Sequence, residues 1–190
     1  MKKTAIALLA LFTLWPLSAC QKQPQSNAQT SSELPQPVAS VHDLMLTIVD
    51  PTADSLWDSV GTIVTKAGIE ERRPKNDAEW EVLRQKAILL TESANLLALK
   101  GRRVVNPGQI TSDTGIEGVL GPEGIQKEVD AHFDQFRDKA LAFQLASIKT
   151  LRAIEKKDPE EFVNVGGQLE RACEGCHVAF WYPPSAKTKQ

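Results

Sequence analysis

Over three long stretches the apolar side chains recur at alternating steps of three and four, and nowhere is a period of two kept long enough to make a strand. A chain patterned in this way buries its apolar surface by laying helix against helix. Residues 77 to 100 place Trp80, Leu83, Ala87, Leu90, Ala94 and Leu97 on one face, with Asp77 positioned to cap the start and Gly101 to stop the end. Residues 122 to 156 do the same with Ile125, Val129, Phe133, Phe136, Ala140, Phe143, Ser147 and Ile154, and Pro122 suits a first turn. Residues 159 to 181 carry Phe162, Val165, Leu169, Cys176 and Phe180 on one face, opened by Asp158-Pro159 and closed by Pro183-Pro184. An earlier segment, from about residue 40 to 66, is helical in pattern but meets Asp50-Pro51. Asp50 can cap a restarted helix with Pro51 in its first position, so a kink or break is expected there. The glycine-rich residues 101 to 121 read as a long connection between the second and third helices. Four helices joined mostly by short links predict an all-α, antiparallel four-helix bundle over residues 40–184, a fold that holds cofactors in its core.

The inward face of the last helix carries Cys173-Glu174-Gly175-Cys176-His177. This C-x-x-C-H run is the attachment signature of c-type haem. Two thiols three residues apart each add across a vinyl group to form a thioether. The adjacent imidazole is then presented to the iron as an axial ligand. On a helix, positions i, i+3 and i+4 share a face, so all three groups point at one ligand. Such a run is uncommon in a chain with three Cys and three His in 190 residues. A dithiol redox pair belongs in a βαβ setting that this pattern lacks. A structural zinc site needs a fourth ligand, with His42 and His132 the histidines left to supply it. A buried disulfide leaves His177 without a role.

The N-terminus points to export. Lys2 and Lys3 precede an apolar stretch, Thr4 to Leu17, too short to span a membrane comfortably and flanked as a secretory signal is. It ends in Leu17-Ser18-Ala19-Cys20, similar to a bacterial lipobox, so residues 1–19 are expected to be a lipoprotein signal peptide and Cys20 to be lipidated. The competing reading is an ordinary signal peptide with a stray cysteine. Gln21 rather than aspartate after Cys20 favours sorting to the outer membrane over retention at the inner one. Residues 20–39, rich in Gln, Ser, Pro and Asn, form a flexible linker, and residues 185–190 a short tail. The localisation expected is the periplasm, with the chain anchored to a membrane. The formal net charge is −2, and the densest basic cluster, Lys100 to Arg103, holds three charges around Gly101. Nucleic acid is therefore not an expected partner. No G-x-S-x-G, H-E-x-x-H or phosphate loop appears, and no enzymatic activity is expected.

This helix order, with C-x-x-C-H near the end of the last helix and an aromatic, Phe180, three residues after the histidine, resembles the cytochrome c′ and cytochrome c-556 family over roughly residues 40 to 181. The resemblance implies one covalent haem c, and many family members are dimeric, so it admits a homodimer. In the c-556 branch a methionine early in the first helix is the second axial ligand. Met45, in Val41-His42-Asp43-Leu44-Met45, stands at that position. In the c′ branch an apolar residue stands there and the iron stays five-coordinate. The chain departs from the family in two places. Trp181 takes a position that is usually Arg or Lys, and Val41 one that is often Arg. His42 is then a candidate for a propionate contact, and it is also the alternative sixth ligand. Phe180 and Trp181 are candidates for packing on the haem.

A methionine on an apolar helix face also serves as core filling, and Met45 lies among Leu44, Leu46 and Ile48. His132, mid-helix, reads as a core or surface residue. Trp57, Trp80 and Trp181 read as core. Glu70-Glu71-Arg72-Arg73 reads as solvated surface. With His177 and Met45 as axial ligands the chain is expected to be a one-electron carrier serving redox partner proteins. With Met45 in the core it is expected to be a five-coordinate haem protein that binds nitric oxide or carbon monoxide.

Overall fold

The first long helix shows how this sequence builds its elements. Asn76, not Asp77, caps it: its side chain accepts from the Glu79 amide at 3.0 Å, while the Glu79 carboxylate reaches back to the Lys75 amide at 2.7 Å. This helix, α3 (Asp77–Leu97), buries all six residues of its apolar stripe. It ends three residues earlier than expected, ahead of Gly101 at φ +81°. The computed structural model describes residues 36–184. Cys20, the signal peptide, nearly all of the linker and the tail lie outside the described residues.

Ahead of α3 the chain departs from a single broken helix. A short α1 (Val41–Leu44) runs through a wider π turn (Met45–Val49) directly into α2 (Asp50–Trp57). Asp50 is fully helical, at φ −61° and ψ −55°, and its amide bonds the Met45 carbonyl. It is therefore not the N-cap of a restarted helix, and the helix runs on through Pro51. Proline has no amide hydrogen to donate to the preceding turn, and the π turn absorbs that loss without a break. The widened turn also keeps Val41 and Leu44 on the buried side with Val49, Ala53 and Leu56.

The helix expected up to residue 66 is also corrected. It ends at Trp57, and the chain forms a hairpin of β1 (Gly61–Thr65) and β2 (Gly68–Arg72), antiparallel with Val64 facing Ile69. β-Branched residues fill Thr62 to Thr65, and Gly61 and Gly68 take φ near +135°, which side chains resist. The fold is thus mostly helical, with one small two-stranded sheet among the described residues. Glu70 to Arg73 are largely exposed and pair along the strand, Arg72 with Glu70 at 3.1 Å.

The helix expected over 122–156 is divided. α4 (Pro122–Ala131) and α5 (Phe133–Glu155) meet at His132, whose φ of −129° and ψ of 40° leave the helical region. His132 is exposed and lies 3.8 Å from Glu128. Two residues past the end of α5, Lys157 sits in the left-handed region, φ 54°. Asp158 then caps α6 (Pro159–Phe180) by accepting from the Glu161 amide at 3.0 Å.

Cross-links give the relative directions of the helices. Lys157 bonds Asp77 at 2.7 Å and Gln144 bonds Asn95 at 2.9 Å, so α5 runs antiparallel to α3. Lys149 bonds Gln168 at 2.8 Å, and the Lys139 ammonium lies over Gly175, so α6 runs antiparallel to α5. Lys86 bonds Ser55, and Trp57 donates to the Gly166 carbonyl at 3.4 Å, which ties α2 to α3 and to α6. The core between them is aliphatic, with Trp80 against Phe162 and Phe136 edge-on to Phe180. Among the described residues no helix is long and apolar enough to cross a membrane.

Candidate functional site

Cys173, Cys176 and His177 lie within α6, near its end. The three share a face, and both thiols are half-buried, unpaired and packed against the core. That face lines a mainly apolar cavity of about 250 Å³. The first helical segment contributes Val41, His42, Met45, Val49 and Asp50 to the same wall. α5 adds Phe136, Lys139, Ala140 and Phe143. α4 adds Ile125 and Val129, and the long connection adds Val104 and Thr111 to Asp113. Residues 41, 45, 173, 176 and 177 are far apart in sequence, and the fold brings them to one space.

Phe180 and Trp181 line this cavity too. Phe180 is buried, 5.3 Å from Phe136 between ring centroids. Trp181 and Tyr182 flank the His177 imidazole at 6.2 and 6.4 Å. The His177 carbonyl accepts from both of their amides, at 2.7 and 3.1 Å, so the end of α6 wraps its rings around the imidazole. Trp181 donates from its indole nitrogen to Asp113 at 3.3 Å, and Tyr182 bonds Glu174. His132 is not part of the site. Among the described residues no group of three or more His, Cys, Asp and Glu side chains converges as a metal-ion site.

A scan of protein-family models finds no match to this chain. Searches of curated proteins and of solved structures find no similar protein either.

The electrostatics of the wall follow from burial. Burial pushes the Cys173 thiol up to about 11, and the Asp50 carboxylate adds to the effect. Burial likewise raises Cys176 to about 11, against the pull of the Lys139 ammonium. Partial desolvation raises the carboxyl of the otherwise exposed Asp50, with His177 opposing. Burial and the bond to Glu174 raise Tyr182 to about 12. These thiols are therefore neutral at ordinary pH, and a neutral thioether suits their surroundings better than a thiolate does.

One further atom bears on what fits here. Nδ1 of His42 is buried with no hydrogen-bond partner, in a residue of the cavity wall. A buried polar atom without a partner is costly, and a polar group on a ligand would satisfy it. Two half-buried thiols, an imidazole on the same face, apolar walls and an orphaned nitrogen are a donor set that suits a mostly apolar group with polar edges, as haem is. Gly175 is not required by space, because a Cβ there would meet only Lys139, at 3.7 Å. Asp50, Lys139, Asp113 and Tyr182 had no sequence signal. They reach the cavity through tertiary packing, not through spacing within a motif.

Proposed function

We propose that this chain is a c-type mono-haem cytochrome, similar to the cytochrome c′ and c-556 family, acting as a one-electron carrier. The helices are read as an antiparallel four-helix bundle, for which the cross-links along α2, α3, α5 and α6 are the support. The observation that carries the function is the single cavity wall shared by Met45, His42 and the C-x-x-C-H residues.

Cys173 and Cys176 would hold haem c covalently, and His177 would offer an imidazole nitrogen to the iron. When bound, haem supplies a one-electron couple. Met45 would offer its thioether from the first helical segment, and a thioether ligand raises the reduction potential. The apolar walls would exclude water and tune that potential further. His42 would donate to or accept from a polar haem edge, and it is the alternative sixth ligand. Phe180 and Trp181, which line the same cavity, would pack against the haem. Export, lipidation of Cys20 and the linker 20–39 would hold the carrier near membrane-bound redox partners in the periplasm.

The second reading, a five-coordinate haem protein that binds nitric oxide or carbon monoxide, draws on the apolar wall around Met45 and on the packing of that residue against the core. The visible and near-infrared spectra separate the two. Chain expressed with cytochrome-maturation machinery should give a haem-stained band that survives denaturation and, when oxidised, a methionine–iron charge-transfer band in the near infrared. Met45→Ala should abolish that band and open the ferrous form to carbon monoxide. A high-spin wild type that binds carbon monoxide freely selects the gas binder. A colourless band removes both readings.

A further inference from the structure

The connection from Ala98 to Gly121 is long for a segment without regular structure, and segments of that length usually have a use. Here it is tied down at both ends, each time to a segment that carries a candidate axial ligand. At its near end it caps α1. The first amides of a helix lack acceptors within the helix. Those of Val41 and His42 donate to the carbonyls of Arg103 and Val104 at 2.8 and 2.9 Å. Asn106 donates to the Asp43 carboxylate at 2.7 Å, and that carboxylate also accepts from the Ser40 amide in the capping box. Arg102 is buried, bonding the Leu96 carbonyl at 2.9 Å and the carbonyl of Ala39. At its far end the connection holds the close of α6. The Leu120 amide donates to the Trp181 carbonyl at 2.9 Å, and the Trp181 indole donates to Asp113. Between these ends, Val104 and Thr111 to Asp113 form part of the cavity wall.

We propose that residues 102–120 are a brace that sets the separation of Met45 from His177, with Asn106 within it and Trp181, which it holds at the end of α6, as the positioning residues. This inference rests on the haem reading above. Met45 lies one turn beyond the amides that the brace caps, and His177 one turn before the tryptophan that it holds. Neither Asn106 nor the Trp181 indole nitrogen needs to touch the iron to decide whether both ligands reach it together. Losing one hydrogen bond shifts a closed-to-open equilibrium by about five- to tenfold.

The test uses the haem-loaded full chain and the variants N106A, W181F and Q144A. W181F keeps a ring against His177 but loses the bond to Asp113 together with part of the indole's packing on the cavity wall, so N106A, which lies outside that wall, is the cleaner of the two. Q144A breaks a link between α3 and α5 outside the brace and serves as the control for plain destabilisation. N106A and W181F should weaken the near-infrared methionine band, lower the reduction potential and speed carbon monoxide binding to the ferrous form by about five- to tenfold. Q144A should change thermal stability alone. If either brace variant fails to mature, the other still decides. A low-spin wild type whose brace variants match Q144A in band, potential and carbon monoxide rate overturns the brace and leaves the haem reading standing. A wild type without the methionine band overturns Met45 ligation and the brace together.

Discussion

Cys173 and Cys176 sit where the fold opposes their ionisation. Each thiol is raised by burial from an ordinary 9.0 to about 11. Between those values the folded, haem-free polypeptide retains protons that the unfolded chain releases. Its stability is therefore fully present below about pH 9 and falls as pH rises toward about 11. Thermal melts of the haem-free chain across that window should show the loss, and a flat profile would reject the burial of the thiols. On the haem reading, conversion of both sulfurs to thioethers should remove this dependence. At the opposite end of α6, Lys157 holds a left-handed conformation that costs an L side chain about 1 kcal/mol. Lys157→Gly relieves that strain but loses an exposed pair with Asp77 worth about 0–1 kcal/mol. Urea melts should show a net gain, and a clear loss would mean that the ion pair outweighs the strain. At this scale the motif was legible in sequence, because C-x-x-C-H is local chemistry. The orphaned nitrogen of His42 was not, because a missing partner is a property of the surroundings.

Elements were legible in proportion to their periodicity. All six stripe residues of α3 are buried, and Leu90, fully inaccessible, anchors them. Leu90→Ala should cost about 2–5 kcal/mol of stability, measured by chemical denaturation. The hairpin was missed because its strands are five residues each and its two-residue turn, Lys66-Ala67, lacks the usual Asn-Gly signal. Gly61 and the β-branched run that follows it were the available cues. Gly68→Ala, at φ +135°, should speed hydrogen exchange of the hairpin amides while leaving the haem spectrum unchanged. A spectral shift would tie the hairpin to the site. The break at His132 has neither Gly nor Pro to announce it. The π turn was half announced. Pro51 marked the place, but whether a helix stops or widens there is decided by packing, which favours keeping Val41, Leu44, Val49 and Leu56 on one side.

Across the whole molecule, the candidate site belongs to no single segment. Its wall draws on the first helical segment, α4, α5, α6 and the long connection, so only tertiary structure could reveal Asp50, Lys139, Asp113 and Tyr182 as neighbours of the motif. A largely apolar, partly open cavity against the core is a poor source of stability until something fills it. The haem-free C173A/C176A chain should therefore melt well below the loaded wild type and expose apolar surface to a hydrophobic dye. Equal melting temperatures would mean that the cavity closes by itself. The half-burial of the two sulfurs also has a consequence for the order of events in the cell. A transferase meeting the finished fold would find both thiols already shielded by the core. On the reading proposed here, the porphyrin must be installed on the freshly exported, still open polypeptide. Tertiary closure would then act as the step that seals the pigment in.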